Sequence, residues 1–147
     1  MLSKDFREFI ESLNSNKVKY LVLGGYAIAF HGHPRYTKDL DVWLELSEEN
    51  ASNVMKALND FGFGGLEISK EDFLHEGMVV QLGYPPNRID LINSPDGVDF
   101  AECYASRIEV DIDGLKILII DLENLKKNKK ASGRLQYLAD LEKLGGE

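Results

Sequence analysis

Two aspartates separated by one residue, Asp39 and Asp41, are the pair in this chain whose spacing most suggests chemistry. They lie in Asp39-Leu40-Asp41-Val42-Trp43-Leu44-Glu45, where Leu40, Val42 and Leu44 alternate with Asp39, Asp41, Trp43 and Glu45. Period-two alternation predicts a strand, with both carboxylates on one face about 7 Å apart along the backbone. Carboxylates so spaced can share one divalent cation and begin to hold a second. Mg²⁺ suits such a site, because it takes few protein carboxylates and keeps room for water and phosphate oxygens. A third carboxylate, Asp90 in Arg88-Ile89-Asp90-Leu91-Ile92, would complete the site from a neighbouring strand for a metal that activates an attacking hydroxyl. Gly24 and Gly25 carry no side chains, so a triphosphate could approach the backbone closely. The helix expected after them offers unpaired N–H groups and the positive end of its dipole.

Each of these features has a plainer reading. An isolated Asp-x-Asp is commonly a solvated strand face, Gly24-Gly25 a strand-to-helix turn, and Asp90 an acid on an edge strand. It is their occurrence together that favours a metal-and-phosphate site. Trp43 shares the aspartate face and could stack on a base or fill the sheet surface. His31 and His33 have the spacing of a metal pair, but no cysteine or third histidine lies nearby, so zinc is not expected. His75 has no partner in sequence. The run Phe61-Gly62-Phe63-Gly64-Gly65 lacks a following Lys-Ser/Thr and reads as a connecting turn rather than a P-loop. Cys103 is the single cysteine, so no internal disulfide forms, and a buried or half-buried thiol is expected rather than a catalytic one.

Several elements must position these residues. Phe6, Phe9, Ile10 and Leu13 recur at helical spacing and predict a helix over 4–14. Lys17 to Leu23 reads as a strand broken by the glycine pair, with Tyr26 to Phe30 continuing as a helix and 31–35 as a loop. After the aspartate strand, Ser47 starts a helix whose apolar face is Ala51, Val54, Met55 and Leu58. Met78 to Leu82 and Arg88 to Ile92 read as strands about a Pro85-Pro86 loop. Ile108 to Ile112 and Leu115 to Ile119 flank Asp113-Gly114, a two-residue hairpin signal. Residues 121–144 read as one or two helices broken near Gly133. Alternating segment types indicate an α/β or α+β domain, a mixed sheet flanked by helices with further helices at the C-terminus.

The chain has 147 residues and a net charge of −8, and residues 1–147 are expected to form a single domain. The acidic balance argues against coating nucleic acid non-specifically, while leaving open an enzyme that meets phosphates through cations. Lys126, Lys127, Lys129, Lys130 and Arg134 make a basic patch, read as a solvated helix face or as a phosphate or RNA contact. No apolar run approaches the ~20 residues of a membrane span, and the N-terminal segment lacks a signal-peptide core, so a cytoplasmic location is expected.

Gly24-Gly25, then Arg35-x-Thr37-x-Asp39-Leu40-Asp41-Val42, and later Asp90 on a strand resemble the DNA polymerase β-like nucleotidyltransferase superfamily. The resemblance is to its small bacterial branch of minimal nucleotidyltransferases and toxin–antitoxin or abortive-infection transferases. Lys129-Lys130-Ala131-Ser132-Gly133-Arg134 followed by Leu138-Ala139-Asp140-Leu141 resembles the tail of that branch, so the likeness spans most of the chain. Gly25 stands where many members carry serine, and Leu135-Gln136-Tyr137 where the branch often has a charged pair. The resemblance implies the nucleotidyltransferase fold and transfer of an NMP from a nucleoside triphosphate to an acceptor hydroxyl on a small molecule, protein or RNA, with release of pyrophosphate. It implies that Asp39 and Asp41 bridge two Mg²⁺ ions, with Mn²⁺ as a substitute, and that Asp90 holds the catalytic metal and helps take the hydroxyl proton. Gly24 and Gly25 would cradle the triphosphate. Arg35, Lys129 and Arg134 would offset its charge, and Thr37 is a matching position of the motif. The alternative is a non-catalytic nucleotide-binding or antitoxin-like module that keeps the fold. A chain this short also suggests a protein partner or a homodimer.

Overall fold

The computed structural model describes residues 2–32, 39–62, 67–84, 87–133, 139 and 142. Helix α1, Lys4–Ser15, buries Phe6, Phe9, Ile10 and Leu13 along one face. Its first turn is capped by Ser3, whose hydroxyl accepts from the Phe6 N–H at 3.1 Å. Strand β1, Tyr20–Leu23, begins three residues later than the apolar pattern suggests. The chain leaves α1 through Lys17 at φ 56°, and Val18 N–H still donates to the Leu13 carbonyl at 3.0 Å.

Helix α2, Gly24–Phe30, follows β1 without a loop. Strand β2 is Leu40–Leu44. Helix α3, Glu48–Phe61, starts at Ser47, which accepts from Asn50 N–H, and ends at Gly62 in the left-handed region with φ 104°. A short 3₁₀ helix, Lys70–Leu74, precedes strand β3, Val79–Leu82, and strand β4, Ile89–Ile92. Helix α4, Phe100–Ala105, was not legible in the sequence, since six residues give too little periodicity; Asp99 caps it. Strands β5, Ile108–Ile112, and β6, Leu115–Ile119, form the expected hairpin. Asp113 at φ 52° and Gly114 at φ 84° give the two positive-φ positions that such a turn requires. Helix α5, Leu122–Ser132, closes at Gly133, where the break was expected.

Among the described residues, six strands form one mixed sheet in the order β3-β4-β2-β1-β6-β5. β1 is antiparallel to β2 and parallel to β6. β2 is parallel to β4, and β3 is antiparallel to β4. Alternation along β2 and β4 puts Leu40, Val42, Leu44, Ile89 and Leu91 in the core on one face. The other face carries Asp41, Trp43, Asp90 and Ile92 in register. Two polar devices fix this frame. Asn50, 2% exposed, accepts from Lys19 N–H at 2.8 Å and donates to the Lys19 and Glu45 carbonyls at 3.0 Å, locking α3 onto β1 and β2. Tyr20 donates from its hydroxyl to Asn14 and accepts from Leu118 N–H, joining α1, β1 and β6. No described helix is long and apolar enough to cross a membrane.

Candidate active site

The parallel pairing of β2 with β4 places Asp41 directly beside Asp90. Asp39 lies one residue before β2, where Leu40 N–H donates to the Arg88 carbonyl at 3.0 Å and aligns the two strand entrances. The three carboxylates expected from sequence are thereby held on adjacent strands. Arg88 joins them. Its Nη2 donates to Asp39 Oδ2 at 2.8 Å and to Asp90 Oδ2 at 3.1 Å. Its Nε lies 3.0 Å from Asp90 Oδ1, yet neither atom has an aligned hydrogen-bond partner. Contact there is coulombic, and Asp90 Oδ1 is a buried acceptor without a donor among the described residues.

The sequence motif puts the offsetting of phosphate charge on Arg35, Lys129 and Arg134 and does not single out Arg88. The signal was present, since a residue two before Asp90 on a strand must share its face. Arg35 and Thr37 lie outside the described residues, as do His33 and Arg134.

Asp41 is the most perturbed of the acids. Burial first, then the charges of Asp90 and Asp39, push its carboxyl up from 3.8 to about 6, against the lowering influence of Lys129 and Arg88. Gly24 sits against this side chain. At φ +63°, a Cβ placed there would overlap Asp41 Oδ2. The first glycine therefore serves the carboxylate as well as any phosphate, because only a residue without a side chain lets Asp41 lie against the β1–α2 turn.

Helix α5 forms the facing wall. Leu125 and Lys129, one turn apart, are its buried residues, and Lys129 is 1% exposed. The basic patch is thus not simply a solvated face, since one of its lysines is turned inward while Lys127 and Lys130 are exposed. Asn128 donates to the Asp96 carbonyl at 2.9 Å. Gly97, at φ +77°, has Ala131 where a Cβ would lie, which brings the 94–98 segment flush with α5. Between the walls is a cleft of about 340 Å³, within the range of small-molecule sites. Gly24, Asp41, Arg88, Asp90 and Lys129 line it, and Val79, Gln81 and Ile92 complete the side toward β3.

Other sequence candidates have structural roles. Trp43, 2% exposed, meets Phe100 edge-on at 5.1 Å and donates to the Asn93 carbonyl at 3.3 Å, so it fills the sheet face rather than offering a surface to a base. His31 donates from Nε2 to the Ile120 carbonyl at 2.8 Å. His75 is exposed. Cys103 is buried, as expected.

Among the described residues, no group of three His, Cys, Asp or Glu side chains is arranged to hold a metal ion; Arg88 bridges two of the three aspartates instead. The donors nonetheless fit a hard divalent cation. All are carboxylate oxygens, Asp90 Oδ1 has no donor among the described residues, and burial, then the charges of Asp90 and Asp39, raise the Asp41 carboxyl.

Residues 2–145 match the model of a family described as nucleotidyltransferase of unknown function, DUF6036. No curated protein matches the chain. Among solved structures, a proposed nucleotidyltransferase from Thermotoga maritima, TM1012, superposes with a TM-score of 0.63 at 20% identity, over 94% of this chain and 88% of that one. An antigenic nucleotidyltransferase-like protein from Paracoccidioides brasiliensis gives 0.56 at 17% identity, over 97% of this chain and 77% of that one. At these identities the two structures share the fold.

Proposed function

Since the chain belongs to the DUF6036 family of nucleotidyltransferases, we propose that it transfers an NMP from a nucleoside triphosphate to an acceptor hydroxyl, with divalent metal. The observation that carries this reading is the registered pair Asp41–Asp90 beneath Gly24 in a cleft whose opposite wall holds Lys129. Asp39 and Asp41 would hold the metal that meets the triphosphate, and Asp41 with Asp90 the metal at the acceptor. Mg²⁺, when bound, neutralises phosphate charge and makes the acceptor hydroxyl more acidic.

This chain's residues supply the rest. Gly24 leaves room for the phosphates beside Asp41. Lys129, inside the cleft, faces them as a fixed positive charge. Asp90 orients the acceptor hydroxyl and accepts its proton as the oxygen attacks the α-phosphorus. The bond from that phosphorus to its bridging oxygen breaks, and pyrophosphate carries the electron pair away. Val79, Gln81 and Ile92 line the side toward β3, where the uncharged wall suits the acceptor better than the triphosphate.

A second reading, a non-catalytic nucleotide-binding or antitoxin-like partner, is favoured by Arg88, which already balances Asp39 and Asp90. Two measurements separate them. Thermal unfolding with each of the four triphosphates, with and without Mg²⁺, is expected to show a Mg²⁺-dependent rise for one of them, lost in Asp39→Asn/Asp41→Asn. Pyrophosphate release with the same nucleotide then decides for transfer; stabilisation without release under acceptor screening decides for the binding module.

A further inference from the structure

Arg88 is the only described cation whose guanidinium reaches two of the site's carboxylates, and it does so from the strand that carries one of them. A divalent ion held by Asp39 with Asp41, or by Asp41 with Asp90, would draw on carboxylates that this guanidinium also contacts. The two cations compete for them, because charge-assisted contacts of 2.8–3.1 Å already use Asp39 Oδ2 and Asp90 Oδ2 and a second positive charge placed beside the guanidinium is repelled by it.

We propose that Arg88 is an internal competitor of the metal: it holds Asp39 and Asp90 in the free protein and is displaced from them as divalent ions bind at the three aspartates. The proposal rests on the metal-site reading above. Arg88 is a positioning residue here, acting through the carboxylates.

The position of Arg88 makes displacement practicable. Its side chain is 29% exposed and lines the cleft, so the freed guanidinium has water and the phosphate-binding space to turn into. A triphosphate entering that space gives it a new bidentate partner. Metal and triphosphate therefore bind with positive coupling: each removes part of the cost of the other, and by linkage the coupling is the same from either side. Metal alone binds weakly. The device would keep the three aspartates from collecting free divalent ions when no nucleotide is present.

The test reads metal binding, not turnover. Mn²⁺ binding to the whole chain is followed by the paramagnetic resonance signal of the free ion, without nucleotide, for wild type, Arg88→Ala and Arg88→Lys. Arg88→Ala is expected to bind Mn²⁺ about tenfold more tightly than wild type, the factor that one charge-assisted hydrogen bond contributes. Arg88→Lys should fall between, since an ammonium cannot span both carboxylates. Should Arg88→Ala fail to fold, the wild type alone answers: the NMR resonance of the Arg88 Nε–H should move as Mg²⁺ is added. Equal or weaker Mn²⁺ binding by Arg88→Ala, or an Arg88 resonance unmoved while Mg²⁺ saturates the site, overturns the proposal and leaves the metal site standing. No Mn²⁺ binding at millimolar ion by any of the three proteins removes the metal site itself, and the proposal with it.

Discussion

At Asp41 the neutral acid is favoured in the folded protein, with the carboxyl titrating at about 6 instead of 3.8. As pH rises past 3.8 the unfolded chain ionises first, so the folded state loses stability up to about pH 6, by on the order of 2–3 kcal/mol. Asp41→Asn removes that loss. In EDTA at pH 7 it is expected to unfold roughly 5–10 °C above wild type, with the gap closing near pH 4, as thermal melts at the two pH values would show. The same variant should lose Mg²⁺-dependent nucleotide stabilisation. Gly24 shows the opposite dependence. Gly24→Ala places a methyl group on Asp41 Oδ2 at a φ of +63°, and should cost at least about 2 kcal/mol in chemical denaturation. In an Asp41→Ala background the overlap with the carboxylate is gone, and the backbone part of that cost should remain together with a tight Cβ contact at 3.3 Å. The aspartates and the glycine were legible in the sequence because strand alternation and motif spacing are local. Arg88 needed the further step of asking what shares a face with Asp90. The burial of Lys129 was not legible, since helix periodicity gives the side on which a lysine falls but not what packs over it.

At the level of elements, the cleft exists because α5 lies close to the 94–98 segment, and that closeness depends on Gly97 against Ala131. Gly97→Val is expected to push α5 outward, weaken nucleotide binding several-fold and lower stability by about 2 kcal/mol. Ala131→Gly added to it should recover part of the binding, measured by thermal shift with triphosphate, because the contact and not the turn alone is at fault. Asn50 is a second such joint. Asn50→Ala takes the Asn50 partner from the partly buried Lys19 N–H and Glu45 carbonyl, while the Lys19 carbonyl keeps its bond from Glu45 N–H, at about 2 kcal/mol. Long periodic segments such as α1 and α3 were readable without the structure, as was the Asp113-Gly114 turn, which has a required backbone geometry. α4 and the 3₁₀ helix were not. Each is only a turn or two held by its cap and by a tertiary contact, Phe100 on Trp43 in one case and buried Phe73 in the other.

For the molecule as a whole, Cys103 reports global opening. Its thiol is buried, and burial, followed by the charges of Asp121, Asp99 and Glu102, pushes it up from 9.0 to about 11. A raised thiol value favours the neutral form in the folded state, so this group's contribution is intact below pH 9 and is lost as pH climbs toward 11. Thiol-directed alkylation at pH 8 should be slow in the native protein, rise with denaturant along the unfolding curve, and accelerate more steeply than stability loss alone predicts above pH 9.

The strand order has a temporal side. β1 stands at the centre of the sheet, yet one of its two neighbours, β6, comes from far along the chain, and the third acid rides on a strand between them in sequence. At ribosomal speeds of roughly 5–20 residues per second, Asp39 and Asp41 leave the exit tunnel several seconds before Lys129. For that interval the nascent chain presents two acids and an unfinished sheet edge, with neither opposite wall nor buried lysine. Conditions that slow synthesis prolong a state in which the aspartates face no opposite wall. The timetable of assembly, written into the topology, therefore delays closure of the cleft until α5 has docked.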